Sequence, residues 1–242
     1  EAHSLDVINT TFSMRYPFWH NHDVNIAGCV LDDKTRAPLW YDNNITIKNT
    51  KINGPKALRE SRKITIDNSD ITSPEFCWNV NTITISNSSI GGEYMFLNSQ
   101  CVVINSCQIN GKYSFQYVKN AKINQSTFDT KDAFWHSENI TVCNSVIKGE
   151  YLGWYSKNLH LINCKIIGTQ PLCYCEGLVL ENCEMIDCDL AFEYSDVKAT
   201  INSSILSVKN PIKGFIKAKK IDKVIFDEFR RDKGNFKITQ EE

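Results

Sequence analysis

The most constraining feature of the sequence is an eight-residue phrase that recurs about every 19 residues. The segments ITIDNSDI, from Ile64, and ITISNSSI, from Ile83, show it most plainly, and their starts are 19 residues apart. A fixed period of this length is typical of solenoids, in which each turn of chain stacks on the last to bury a shared core. The eleven copies begin at Leu5, Val24, Ile45, Ile64, Ile83, Val102, Ala121, Ile140, Leu159, Leu178 and Lys198.

The columns of the aligned phrase predict strands rather than helices. Positions one and three are apolar in nearly every copy and alternate with polar residues, which is the period of a half-buried strand. Position five is Asn in eight copies, and stacked Asn side chains at a bend can hydrogen-bond along the stack. Position six is always Ser, Thr or Cys, which indicates a small-residue column with reduced thiols.

This Asn-ladder parallel coil resembles the pectate-lyase-like superfamily over residues 5 to about 210. The resemblance implies an all-β, single-stranded right-handed parallel β-helix (solenoid) of about eleven 19-residue coils. We predict that residues 1–210 form the β-helix. Because the repeat fails beyond Pro211, residues 211–242 are predicted to form a C-terminal cap and tail of the same domain, with short strands near 215–218, 224–225 and 236–238.

Four phrases in the chain resemble the uncharacterised bacterial domain-of-unknown-function family 3737. The resemblance spans nearly the whole chain, implies no activity, and implies a cytoplasmic protein. Residues 1–4 align with residues 60–63, so the chain is expected to begin in mid-coil, with an uncapped N-terminal coil open to self-association. The four phrases are Arg15–His20, Tyr151–Ser156, Gly168–Cys175 and Asp189–Ser195.

Composition and motifs narrow the partners and cofactors. The 27 Lys and Arg residues balance 28 Asp and Glu residues, so no overall field exists to hold nucleic acid. No apolar run approaches the roughly 20 residues of a membrane span, and we expect no membrane partner. Gly-rich phosphate loops and nucleophile elbows are absent, which indicates no cofactor. His20 and His22 have no assured third ligand, so no metal site is predicted.

All five tryptophans fall in one column of the coil's second half, which we name the tryptophan column. The preceding column is uncharged and is predicted to face the core, so alternation points the tryptophans outward. An exposed aromatic column would mark a binding surface. Alternatively, a bend folds the rings over the core edge, where they shield backbone. The column is predicted to contain Trp19, Trp40, Arg59, Trp78, Leu97, Gln116, Trp135, Trp154, Cys173 and Phe192.

The next column, the outer ladder, is polar or aromatic throughout. Its acid, base and hydroxyl groups suit glycan binding or general acid–base chemistry, and the alternative is an edge hydrogen-bond ladder that satisfies turns. The ladder is predicted to contain His20, Tyr41, Glu60, Asn79, Asn98, Tyr117, His136, Tyr155, Tyr174 and Glu193.

Candidate site residues follow from these two columns. Glycosidases need two carboxyls roughly 5–9.5 Å apart, and Glu60 has one carboxyl neighbour, Asp42, one coil away. With His20, these form the catalytic candidates. The predicted binding residues are Arg15, Trp19, Trp40, Tyr41, Arg59, Trp78, Trp135, His136, Trp154, Tyr155, Tyr174 and Glu193.

Three functional hypotheses remain open at this point. The first is a β-helix scaffold whose outward aromatic and polar groove binds a glycan or a protein partner. The second is a carbohydrate-active lyase or hydrolase, which rests mainly on fold analogy. The third is a structural or assembly module. Exposure of the tryptophan column separates the first two from the third, and a carboxylate pair separates an enzyme from a binder.

Overall fold

The computed structural model describes residues 1–230 and 235–240. Their 22 strands pair in parallel and form a right-handed β-solenoid of about twelve turns with a spacing of about 19 residues, which confirms the predicted fold class. The described part of the chain contains no helix that could cross a membrane. The chain divides into two compact units, Glu1–Ser126 and Thr127–Glu242.

In the first unit, long and short strands alternate along the chain. Each long strand pairs with the long strand of the next coil, so that Ile45 lies beside Ile64 and Ile64 beside Ile83. The strands are β1 His3–Ile8, β2 Thr11–Phe12, β3 His22–Ala27, β4 Val30–Leu31, β5 Asn43–Lys48, β6 Lys51–Asn53, β7 Arg62–Asp67, β8 Asp70–Thr72, β9 Asn81–Ser86, β10 Ser89–Glu93, β11 Gln100–Asn105, β12 Gln108–Lys112 and β13 Lys119–Asn124.

The second unit begins with the same alternation and ends in longer strands. The strands are β14 Thr127–Lys131, β15 Glu138–Cys143, β16 Val146–Lys148, β17 Lys157–Ile162, β18 Lys165–Ile167, β19 Leu178–Ile186, β20 Asp196–Lys209, β21 Lys213–Ile225 and β22 Phe236–Gln240. Strand β21 pairs in parallel with β20 and with β22. The segment predicted as a cap therefore continues the stacking, and its residues 231–234 and 241–242 lie outside the described residues.

The register of the last repeat differs from the prediction by one residue. Val197, not Lys198, pairs with Leu178, and Val197 is buried whereas Lys198 is exposed. The pairing of β19 with β20 shifts between Leu180 and Cys183. This irregularity absorbs the extra residue.

Side chains from equivalent positions stack in rows along each unit. The apolar positions of the phrase fill the core, and Ile66, for example, has no exposed surface. The Asn ladder is present in both units: Asn68 donates to the Asn49 side chain at 2.6 Å, and Asn182 donates to Asn163 at 2.7 Å. All ten cysteines are free thiols, as their use in the small-residue column predicts.

A segment that we name the arch links each short strand to the next long strand. In the arches, every second residue has a positive φ, as at Lys56, Leu58 and Glu60, with values of 55–66°. Backbone hydrogen bonds to neighbouring coils hold this conformation: Glu60 N–H donates to the Trp78 carbonyl at 2.9 Å. β-Branched residues are strained at positive φ, and none occupies these arch positions in the described residues. The arches therefore carry aromatic, Leu and polar residues.

Glycine is required where neighbouring coils approach most closely, and Gly111→Ala tests this. Gly111 has a φ of +146°, and a Cβ built there would lie 1.8 Å from the Gly92 carbonyl oxygen. We expect the substitution to lower the free energy of unfolding by about 2–4 kcal/mol, measured by urea denaturation.

Gly91→Ala is the matched control. A Cβ at Gly91 meets its nearest neighbour at 3.8 Å, so the change should stay within about 0.5 kcal/mol. Equal effects of the two substitutions would contradict the stacking geometry.

Candidate functional site

The first unit contains a cleft of about 420 Å³ between the outer ladder and the first residues of the long strands. We name it the polar cleft. Its walls carry an imidazole, a phenol, a carboxylate, a guanidinium and amides, so it presents both donors and acceptors of hydrogen bonds. The residues that line it are His20, Tyr41, Glu60, Ser61, Arg62, Asn79 and Asn81.

The outer ladder holds its side chains one above another along the unit. The rings of His20 and Tyr41 stack with centroids 4.8 Å apart and an interplanar angle of 7°. Glu60 continues the row by accepting a hydrogen bond from the Asn79 side chain at 2.6 Å, and Asn98 donates to Asn79 at 2.8 Å. Since the ring faces of His20 and Tyr41 lie against each other, polar ring edges are what the ladder offers to a ligand.

The tryptophan column of the first unit forms a continuous stack with a cation inside it. Trp19 and Trp40 stack at 5.9 Å, and the Arg59 guanidinium lies 5.3 Å from the Trp40 ring centroid and 4.5 Å from that of Trp78. Arg59 also pairs with Glu75 at 3.2 Å. These contacts cover the indole faces with protein groups, and Trp19 is the most accessible of the three, with 45% of its surface exposed.

In the second unit, two tryptophans of the column are fastened to backbone. Trp135 and Trp154 stack at 5.4 Å, and their Nε1–H groups donate to the Tyr151 and Gln170 carbonyls at 2.6 and 2.7 Å. Both rings are half-buried. This arrangement matches the alternative in which the rings shield the core edge, so Trp135 and Trp154 have a structural use whether or not they bind a ligand.

The outer ladder of the second unit is a stack of rings, and Glu193 is not part of it. His136, Tyr155 and Tyr174 stack at 4.9 and 4.7 Å, and the next ring is Tyr194, 5.8 Å from Tyr174. Glu193 occupies the tryptophan column instead, where Lys209 pairs with it at 2.8 Å. The sequence alignment misplaces Glu193 because the step between these two coils is 20 residues, not 19.

Asp42 lies in a column that otherwise holds small side chains. It has no exposed surface, and its Oδ1 accepts hydrogen bonds from the Asn21 backbone N–H at 2.5 Å and side chain at 3.2 Å. In the next coil, the Ser61 hydroxyl both accepts the Asp42 N–H and donates to the Leu39 carbonyl. A protonated Asp42 can accept and donate in the same way, whereas a carboxylate can only accept.

Burial raises the pKa of the Asp42 carboxyl to about 7, against the opposing effect of its hydrogen bonds from Asn21. A buried charge without full pairing is costly, so the environment favours the protonated acid. Asp42 is buried while Glu60 is partly exposed beside the cleft. The two catalytic candidates therefore do not share a solvent-facing site, in contrast to the paired carboxylates that the sequence suggests.

Unsatisfied polar atoms concentrate around this cleft. Among the described residues, five buried side-chain polar atoms have no hydrogen-bond partner, and four of them belong to two neighbouring coils. Such atoms are rare in native proteins and mark strain, an ion, a water or a functional site. The four are Trp40 Nε1, Asp42 Oδ2, Asn43 Oδ1 and Arg59 Nε.

The structure adds residues to the predicted site and sets one apart. Arg15 is exposed and bridges to Arg36 across the coils, but it does not line the polar cleft. Arg62 and Asn81 line the cleft and are absent from the sequence prediction. Both lie two residues beyond the outer ladder, where alternation returns the side chain outward, so a column read at that offset identifies them.

The described residues contain no group of three or more His, Cys, Asp or Glu side chains placed to hold a metal ion. The nearest approach to a histidine cluster is the stacked pair His3 and His22, whose centroids are 4.8 Å apart. The Asn43 side chain lies 3.4 Å from the His22 ring nitrogen. These histidines are therefore held by stacking and by an amide.

Replacing Asp42 with Ser should change how stability depends on pH. The folded-state pKa of Asp42, about 7, lies above its ordinary value of 3.8, so the fold favours the protonated form. The contribution of Asp42 to stability is full below about pH 4 and is lost as the pH rises through about 7. The loss is of the order of 4 kcal/mol.

Urea unfolding of the wild type and of Asp42→Ser near pH 4 and near pH 8 measures this effect. The wild type should lose stability relative to the variant at the higher pH, because Ser keeps the hydrogen bond to Asn21 and carries no charge. A difference in unfolding free energy that is the same at both pH values would show that Asp42 does not titrate in this range.

The chain has weak structural likenesses and one clear family relationship. PfbA, a surface adhesin of Streptococcus pneumoniae, has a TM-score of 0.47 and 11% identity over 83% of this chain and 67% of its own. QnrB1, a plasmid-mediated fluoroquinolone resistance protein, has a TM-score of 0.21 and 8% identity over 78% of this chain and 91% of its own. Neither likeness supports a functional argument, and no curated protein matches the chain. The profile of the proteins of unknown function DUF3737 matches residues 1–239, and the chain belongs to this family, as its four phrases predict.

Proposed function

We propose that the first unit is a binding scaffold whose polar cleft takes a short saccharide. The observation that carries this proposal is the concentration of unpaired buried donors and acceptors in the two coils around the cleft. The repeat requires none of these groups, since other coils place Leu, Cys or Ser at the equivalent positions. A cost in stability that is confined to one region is typical of a functional site.

The chemistry of the cleft suits hydroxyl-rich ligands. Each sugar hydroxyl donates one hydrogen bond and accepts others, and the cleft offers the Glu60 carboxylate, the Tyr41 phenol and the Arg62 guanidinium within one lining. A volume of about 420 Å³ lies within the ordinary range for small-molecule sites, roughly 300–1,000 Å³. Trp19, at the end of the indole stack, supplies the most exposed apolar ring face nearby.

Binding accounts for the geometry better than the enzymatic alternative. A glycosidase requires two carboxyls that flank the same bond, and here Glu60 is beside the cleft while Asp42 is buried. A protein partner remains the other ligand class for the same surface, and an assembly module remains the alternative in which nothing binds the cleft. The experiment below separates these outcomes.

Tyr41→Phe and Glu60→Gln should weaken saccharide binding without destabilising the fold. Loss of one neutral hydrogen bond corresponds to roughly a 2- to 12-fold lower affinity, and loss of one to a charged group to roughly 10- to 150-fold. The measurement is a glycan array with the wild type, followed by titration of each variant with the best glycan, read by tryptophan fluorescence.

Tyr155→Phe is the matched control, because Tyr155 stands in the ring ladder of the second unit with the same stacking distances. It should leave the affinity unchanged. If no glycan binds, or if Tyr41→Phe lowers the melting temperature and the affinity no more than Tyr155→Phe does, the polar cleft is a structural ladder and the proposal is wrong.

A further inference from the structure

A basic surface with an aromatic centre lies on the second unit, in β20, β21 and β22. The parallel register places Lys198 directly beside Phe215, and Phe215 directly beside Lys237. All three side chains are exposed, and Phe215 leaves 40% of its surface open. Three adjacent strands therefore present the row Lys–Phe–Lys to solvent.

Strand β21 extends this surface along its own length. Lys217 and Lys219 are exposed, while Ile216 and Ala218 between them are buried, so alternation puts both lysines on the same side as Phe215. Beside them, Lys213 pairs with Asp196 at 3.7 Å. We name the set of Lys198, Phe215, Lys217, Lys219 and Lys237 the basic face.

The charge of these strands is local and strongly positive. Strands β20 to β22 contain eight lysines and two aspartates, whereas the whole chain has a net charge of −1. The core of the solenoid requires no lysine here, because the inward positions are apolar. A positive field this concentrated attracts an anionic partner at short range.

We propose that the basic face docks on the surface of an anionic lipid bilayer. The lysines spread in two dimensions: Lys198 and Lys237 are two strand spacings apart, roughly 9.6 Å, and Lys217 and Lys219 lie two residues apart along the strand, roughly 6.6 Å. A planar array of anionic head groups meets all of these charges at once, whereas a linear polyanion follows one row.

Phe215 supplies the apolar contact that such docking needs. Aromatic side chains favour the interface between water and acyl chains, and each nearby lysine adds attraction to anionic lipid. The docking is peripheral and needs no spanning segment, so it revises the sequence-based expectation that the protein has no membrane partner. It involves neither the polar cleft nor the first unit, and it stands independently of saccharide binding.

The test is co-sedimentation of the full chain with vesicles of phosphatidylcholine alone and of equimolar phosphatidylcholine and phosphatidylglycerol. We expect binding to the anionic vesicles only, and loss of binding as salt shortens the Debye length from about 10 Å at 0.1 M to about 3 Å at 1 M. The triple variant Lys198→Gln, Lys217→Gln, Lys237→Gln should bind roughly a hundredfold more weakly.

A matched control removes the same charge from the first unit, at three exposed lysines outside the basic face. The variant Lys48→Gln, Lys63→Gln, Lys122→Gln should retain wild-type binding to within a few fold. Phe215→Ser, a surface change, should weaken vesicle binding with the salt dependence unchanged. Thermal unfolding of each variant checks that the fold is intact.

Several results would overturn the proposal. These are equal binding to neutral and anionic vesicles, equal losses in the two triple variants, or no vesicle binding by the wild type at low salt. Preferential binding of a soluble polyanion, tested with heparin and with a single-stranded oligonucleotide as competitors, would assign the basic face to a linear ligand instead of a membrane.

Discussion

Every other feature of this protein depends on parallel backbone hydrogen bonding between residues one repeat apart. Because Ile64 lies between Ile45 and Ile83 in register, each side chain sits on its own equivalents at a spacing near 4.8 Å. A buried polar side chain can therefore be satisfied by the coils above and below it, as Ser61 is by Asp42 and Leu39. The same stacking makes a single unsuitable residue conspicuous, since its neighbours in the row show what the position requires.

The arches turn this backbone constraint into the surface chemistry of the protein. Alternate residues there adopt positive φ, which disfavours the Ile and Val residues that fill the strands. Large rings and polar side chains take those positions, and the coil spacing then stacks them into ladders such as His136, Tyr155 and Tyr174. Aromatic ladders are thus a product of the fold, and stacking by itself is no evidence of a ligand. What distinguishes the first unit is the unpaired polar groups that accompany its ladder.

The period alone predicts the strands, their parallel pairing, the Asn ladder and the free thiols, because all of these follow from side chains repeating in register. It fails where the step changes: Lys198 and Glu193 are each misplaced by one residue, since no sequence pattern announces a bulge between Leu180 and Cys183. Side-chain direction is the second limit. Alternation points Trp135 outward, but only the structure shows its indole N–H donating to the Tyr151 carbonyl. The inward turn of Asp42 follows from alternation too, yet its unusual partners depend on which residues neighbouring coils supply.

The two surfaces proposed here differ in how the fold accommodates their charges. At the polar cleft, the ladder places Asp42 where Ser belongs, and the price is an acid that is neutral only below about pH 7. At the basic face, the lysines lie on solvent-facing positions where the repeat accepts any polar residue, so their clustering costs the fold little. A group that weakens the fold and a group that leaves it indifferent both persist in a sequence whose other positions serve the stacking. The cleft is therefore recognised by its cost in stability, and the basic face by a charge excess that the stacking does not require.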